Sequence, residues 1–92
     1  MSGSARELFK ELKARYDGIY EQIVEFHLSL PPGTEHRERL GDFIHSTNIL
    51  AGRVGESLLR GEAPKRHHIY DLRTNIGIIE LILALASESS LG

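Results

Sequence analysis

The sequence predicts an all-α fold: an up-down antiparallel bundle of three long helices, completed by oligomerisation. Three observations lead there. Every apolar set follows steps of three and four, the helical period, and no stretch alternates with the period of two of a half-buried strand. Two breaker clusters, Pro31-Pro32-Gly33 and Gly61-Glu62-Ala63-Pro64, divide the chain into three pieces of similar length. The last piece is more apolar than one buried face requires. Ile69, Leu72, Ile76, Ile79, Leu83 and Ala86 form a seam, and Ile78, Leu81, Ile82 and Leu85 lie beside it.

The first helix is expected over about residues 4–30. Ser4-Ala5-Arg6-Glu7 has the form of a capping box. Leu8, Leu12, Tyr16, Ile19, Ile23, Phe26 and Leu30 then keep one helical phase. Gly18 interrupts this run at a cost of about 1 kcal/mol relative to Ala, and the unchanged phase on either side predicts a local bend at most. Glu11 and Arg15 have the spacing of an i,i+4 ion pair. Pro31 ends the helix, because the residue before a proline is pushed out of the helical region.

The second helix is expected over about residues 35–60, with Thr34 as its N-cap and Glu35 near the positive end of its dipole. Its core face reads Leu40, Phe43, Thr47, Leu50, Val54 and Leu58, with Ile44 and Ala51 alongside. Gly41, Gly52 and Gly55 weaken the helix and predict close approach of a neighbouring backbone. Gly61 suits the C′ position. The third helix is expected over about residues 64–87, with Pro64 in its first turn and Glu88-Ser89-Ser90-Leu91-Gly92 as a frayed tail. The short connections make consecutive helices antiparallel neighbours.

A chain of 92 residues makes one domain, 1–92, and buries less of its surface than a larger domain does. The absence of cysteine excludes a disulfide framework, a thiolate zinc site and thiol catalysis, and it suits a reducing cytosol. The net charge of −2 offers no global basic field for nucleic acid, which leaves room only for a local patch. No run approaches the roughly 18 apolar residues of a membrane span, because Gly77 and Glu80 interrupt Ile76–Ala86. The charged start carries no leader pattern, so a cytoplasmic protein without membrane contact is expected.

Among possible sites, His67 and Asp71 share a helix face and His68 is adjacent, but His36 belongs at the opposite end of an antiparallel pair. That is too few convergent ligands for a metal, and no metal or other cofactor is expected. The basic residues Arg53, Arg60, Lys65, Arg66 and Arg73 gather around the start of the third helix. Cations there oppose the helix dipole, and free amides with Lys and Arg suit a phosphate, so these five are the nucleic-acid-binding candidates. Ile78, Ile82 and Leu85, with Ile49 on the second helix, are the candidate oligomer interface. Arg39 and His45 have the Arg-x5-His spacing that resembles the catalytic motif of HEPN ribonucleases. In that chemistry His handles the proton of a 2′-hydroxyl and Arg stabilises phosphate charge. Six residues along a regular helix turn by about 240°, which separates the two side chains.

The order of elements also carries a family resemblance. A long helix ending Leu30-Pro31 leads to Arg37-Glu38-Arg39, then to a small-residue helix ending Leu58-Leu59-Arg60-Gly61. The last helix carries Tyr70-x-Leu72, Gly77-x-x-Glu80-Leu81 and Leu83-Ala84-Leu85-Ala86. Over about residues 16–86 this resembles the four-helix-bundle superfamily that includes the intervening-sequence proteins of large-subunit ribosomal RNA genes. The same superfamily includes the accessory variability determinants (Avd) of diversity-generating retroelements. The resemblance implies a homo-oligomer of helical bundles working beside a reverse transcriptase and its RNA. The family's fourth helix has no counterpart here, so another subunit or a substitute for that helix is expected to cover the third helix; the family's basic character is also missing, which leaves a protein partner as the more modest reading. The function expected is that of a non-enzymatic accessory or scaffold protein. The alternatives are a ribonuclease using Arg39 and His45, or a plain protein–protein interaction module.

Overall fold

The computed structural model describes the backbone of residues 2–91 and the side chains of residues 5–88. It contains α1 (Ser2–Ser29), α2 (Glu35–Leu59) and α3 (Arg66–Leu91), and no strand among the described residues. Each helix packs on the other two. The chain is an all-α bundle. No helix among the described residues is long and apolar enough to cross a membrane.

α1 runs unbroken through Gly18. A methyl group placed on Gly18 would meet nothing within 4 Å. Gly18→Ala is therefore expected to stabilise the fold by about 1 kcal/mol, the difference in helix propensity. The thermal midpoint should rise by roughly 4–8 °C. A melt followed by circular dichroism checks this, and an unchanged or lower midpoint contradicts it. The backbone is already helical at Ser2, so Ser4 lies inside the helix and not at its cap; the Ser4 side chain lies outside the described residues.

The turn after α1 uses Gly33 at φ +79°, a left-handed value that a side chain would strain. Thr34 then caps α2: its Oγ1 accepts from the Arg37 amide at 3.4 Å and donates to the Pro31 carbonyl at 2.7 Å. At the other end of α2, the Glu62 amide donates to the Ser57 carbonyl at 2.9 Å and the Gly61 amide to that of Leu58 at 3.0 Å. This is a Schellman ending, with Gly61 at φ +72° in the C′ position.

Two helix limits differ from expectation. α3 begins at Arg66, because the Lys65 carbonyl accepts the first helical bonds, from His68 at 3.1 Å and Ile69 at 3.3 Å. Pro64 thus lies one residue outside the cap. The chain must step between helix axes about 8–10 Å apart, and residues 62–65 supply the extended length. The helix also continues past Ser87 to Leu91.

The core contains Leu12, Tyr16 and Ile23 from α1, Leu40, Ile44 and Val54 from α2, and Leu72, Ile76 and Ile79 from α3. Leu8, Ile19, Phe26, Leu50, Leu58, Ile69, Ile82 and Leu83 pack around them. Ile44, expected beside the core face of α2, is within it, and Phe43 is only half-buried. Ile82, expected at an oligomer interface, packs on the core of its own chain. It sits on the α2 side of α3, about 40° around the helix from Ile78.

Polar groups join the helices where they meet. Thr47 is fully buried; its hydroxyl donates to the Phe43 carbonyl at 2.8 Å and accepts from Asn75 Nδ2 at 3.2 Å. Arg15 does not pair with Glu11 along α1. It crosses to α3 and grips both carboxylate oxygens of Glu80. This hydrogen bonding is the main reason the Glu80 carboxyl lies below the usual carboxylate range. Along α1 the ion pair joins Lys13 to Asp17 at 2.9 Å.

The helix glycines divide by environment. At Gly41 an added Cβ would lie 2.8 Å from His27 Nε2, so what comes close there is a side chain and not the neighbouring backbone. At Gly55 it would touch Phe9 at an ordinary 3.5 Å, and at Gly52 it would meet nothing within 4 Å. Close packing within the chain therefore accounts for Gly41 and not for Gly52.

Candidate functional site

Two apolar surfaces stand out among the described residues after the core is formed. The first is a ridge on α3. Tyr70, Ile78, Leu81 and Leu85 are exposed, Leu81 by 58%. At 100° per residue they occupy a sector of about 80° opposite the seam of Leu72, Ile76 and Ile79. Ile78 and Leu85 are among the residues expected from the sequence at an interface; Tyr70 and Leu81 extend the same stripe. Their spacing of three, four and eight residues is the signal of that stripe in the chain. Ile49 on α2 is also exposed, away from this ridge. The molecule is only 18 Å across its thinnest dimension, so among the described residues no further layer lies beyond α3.

The second surface is a groove of about 810 Å³ between α1 and α2. Its lining comes from those two helices alone, so it opens away from α3. Phe9 and Tyr16 contribute from α1, and Asn48, Ala51, Gly52 and Gly55 from α2. At one end Leu59 is 90% exposed. At the other, Tyr16 and Tyr20 meet edge to face with centroids 5.4 Å apart. Asn48 links them, accepting from the Tyr16 hydroxyl at 2.6 Å and donating to the Tyr20 hydroxyl at 3.4 Å. Arg6, Lys10 and Lys13 edge the α1 side. Sequence reasoning did not find this groove. Its one signal was the run of small residues Asn48, Ala51, Gly52 and Gly55, which share a helix face at i, i+3, i+4 and i+7.

The basic candidates do not form one patch. Arg66 and Arg73 line a cleft with Ala5 and Leu8, on the α1 side of α3. Arg53 and Lys65 lie near His68, close enough to act on its charge. His68 is held below the ordinary imidazole value, first by partial burial, then by His67, Arg53 and Lys65; Asp71 opposes the shift. Arg60 faces Glu62 at 3.6 Å. α3 has no acidic residue in its first turn and Lys65 at its cap position, so cations meet the positive end of the dipole uncompensated.

Arg39 and His45 do not come together. α2 is a continuous α-helix, both residues are exposed, and Arg39 pairs with Glu35 one turn earlier. Among the described residues no three His, Asp or Glu side chains are grouped to hold a metal ion. No known family model, curated protein or solved structure matches the chain.

Proposed function

We propose that this chain is a non-enzymatic accessory or scaffold protein that works as an assembly of copies of itself, with nucleic acid as its partner. One observation carries the reading: α3 buries one apolar face in the bundle and holds a second, Tyr70, Ile78, Leu81 and Leu85, out to solvent. A helix apolar on two sides meets something on both. The resemblance to accessory bundle proteins supports RNA as the ligand to try first.

Light scattering over a range of concentrations tests the assembly. The wild-type chain is expected to be oligomeric and the double substitution Leu81→Glu with Leu85→Glu monomeric, with helix content unchanged. A wild-type monomer at every concentration overturns the proposal. For the partner, binding of an RNA is expected to fall steeply with added salt, as phosphate contacts require. Lys65→Glu with Arg66→Glu should weaken it; equal binding by that variant would show that neither residue contacts the nucleic acid.

A further inference from the structure

The ridge on α3 and the groove between α1 and α2 lie on opposite sides of the bundle. From this we infer that copies join head to tail: α3 of one copy seats in the α1/α2 groove of the next and serves there as a fourth helix. The inference rests on the self-assembly reading and gives it a specific geometry. An α3-to-α3 contact would bury ridge against ridge and leave the groove open; the head-to-tail joint covers both surfaces.

Length and shape match between the two. The ridge from Tyr70 to Leu85 is about 22 Å long and the groove from Arg6 to Tyr20 about 21 Å, at the helical rise. Each has a glycine near its middle, Gly77 on the ridge and Gly52 on the groove, and an added Cβ at either would meet nothing within 4 Å in its own chain. Opposed glycines let two helix backbones approach closely, and in the joint this is what the open floor at Gly52 accommodates. With Gly77 of the next copy over Gly52 and that copy's α3 antiparallel to α1, Leu85 reaches the exposed Leu59 and Tyr70 reaches Tyr20.

Each joint covers a strip about 22 Å by 10 Å. That is below the size of a stable protein–protein interface, so one joint alone is weak. Every copy has one ridge and one groove, and a closed ring lets each use both.

The chain has no cysteine, so an engineered pair reports contact without background. Gly52→Cys and Gly77→Cys are prepared as separate chains, mixed under subunit exchange and oxidised. The expected product is a covalent heterodimer, formed at least tenfold faster than either homodimer. Faster homodimers of the Gly77→Cys chain would show a ridge-to-ridge contact and overturn the inference while leaving self-assembly intact. A second pair, Tyr20→Cys and Tyr70→Cys, guards against local misfit; the absence of preferred heterodimers from both pairs in an oligomeric protein also overturns it. Oligomeric state measured on the wild-type chain separates either result from a failure of self-assembly itself.

Discussion

Ile76→Ala is expected to lower the unfolding free energy by about 2–5 kcal/mol, the range for truncating a fully buried Ile. Ile76 is 0% exposed and belongs to the central cluster drawn from all three helices. Removing its outer carbons leaves a cavity bounded by three helices joined by the side-chain bonds Tyr16–Asn48, Asn75–Thr47 and Arg15–Glu80, so collapse into the space is limited. A native domain holds only about 5–15 kcal/mol in total, and a chain of this size sits low in that range. Ile78→Ala provides the internal contrast. Ile78 is on the same helix but 42% exposed, and its loss should cost the isolated fold less than about 1 kcal/mol. Urea unfolding at a concentration where the protein is dissociated measures both. The midpoint should fall sharply for Ile76→Ala at constant slope and little for Ile78→Ala. Equal losses would mean that the seam of α3 is misassigned.

Tyr16→Phe is expected to remove an alkaline loss of stability worth roughly 2–3 kcal/mol, the equivalent of about two pH units. Tyr16 is only 4% exposed. Burial, and secondarily the nearby Tyr20, pushes its hydroxyl from 10.0 up to about 12. The fold therefore favours the neutral phenol. That contribution is fully present below pH 10, where the unfolded chain is also protonated, and it is lost as the pH rises from 10 through 12. At neutral pH the same substitution should cost about 1 kcal/mol, because the hydroxyl no longer donates to Asn48. Unfolding midpoints near pH 8 and pH 11 test the sign. The wild-type chain should lose more than Tyr16→Phe between them. A parallel decline in the two proteins would show that Tyr16 titrates like a solvated tyrosine.

Much of the architecture was legible in the chain because helices are decided locally. The Pro31-Pro32-Gly33 turn, the Thr34 cap and the Gly61 ending depend on backbone preferences within a few residues. The limits of α3 were not legible. Pro64 has the right chemistry for a first turn, but the distance between helix axes drew residues 62–65 into an extended connection. Ile82 illustrates the same limit within a helix. Its spacing allowed either side, and only the position of α2 placed it against the core. The basic residues expected around the start of α3 are divided in space, because Arg66 and Arg73 face α1 while Arg53 and Lys65 lie near His68.

What the sequence by itself determined is the helical period, the breaks and the excess of apolar surface on α3. These follow from residue spacing and from the φ preferences of Pro and Gly. Only the tertiary structure decided where that excess points and that a groove of matching length lies on the opposite side. A groove is the space between two helices, and no single segment encodes it. Gly52 looks like Gly41 in the chain, yet one faces open space and the other the ring of His27. That difference depends on which side chain the neighbouring helix brings across, a contact made by residues far apart in sequence.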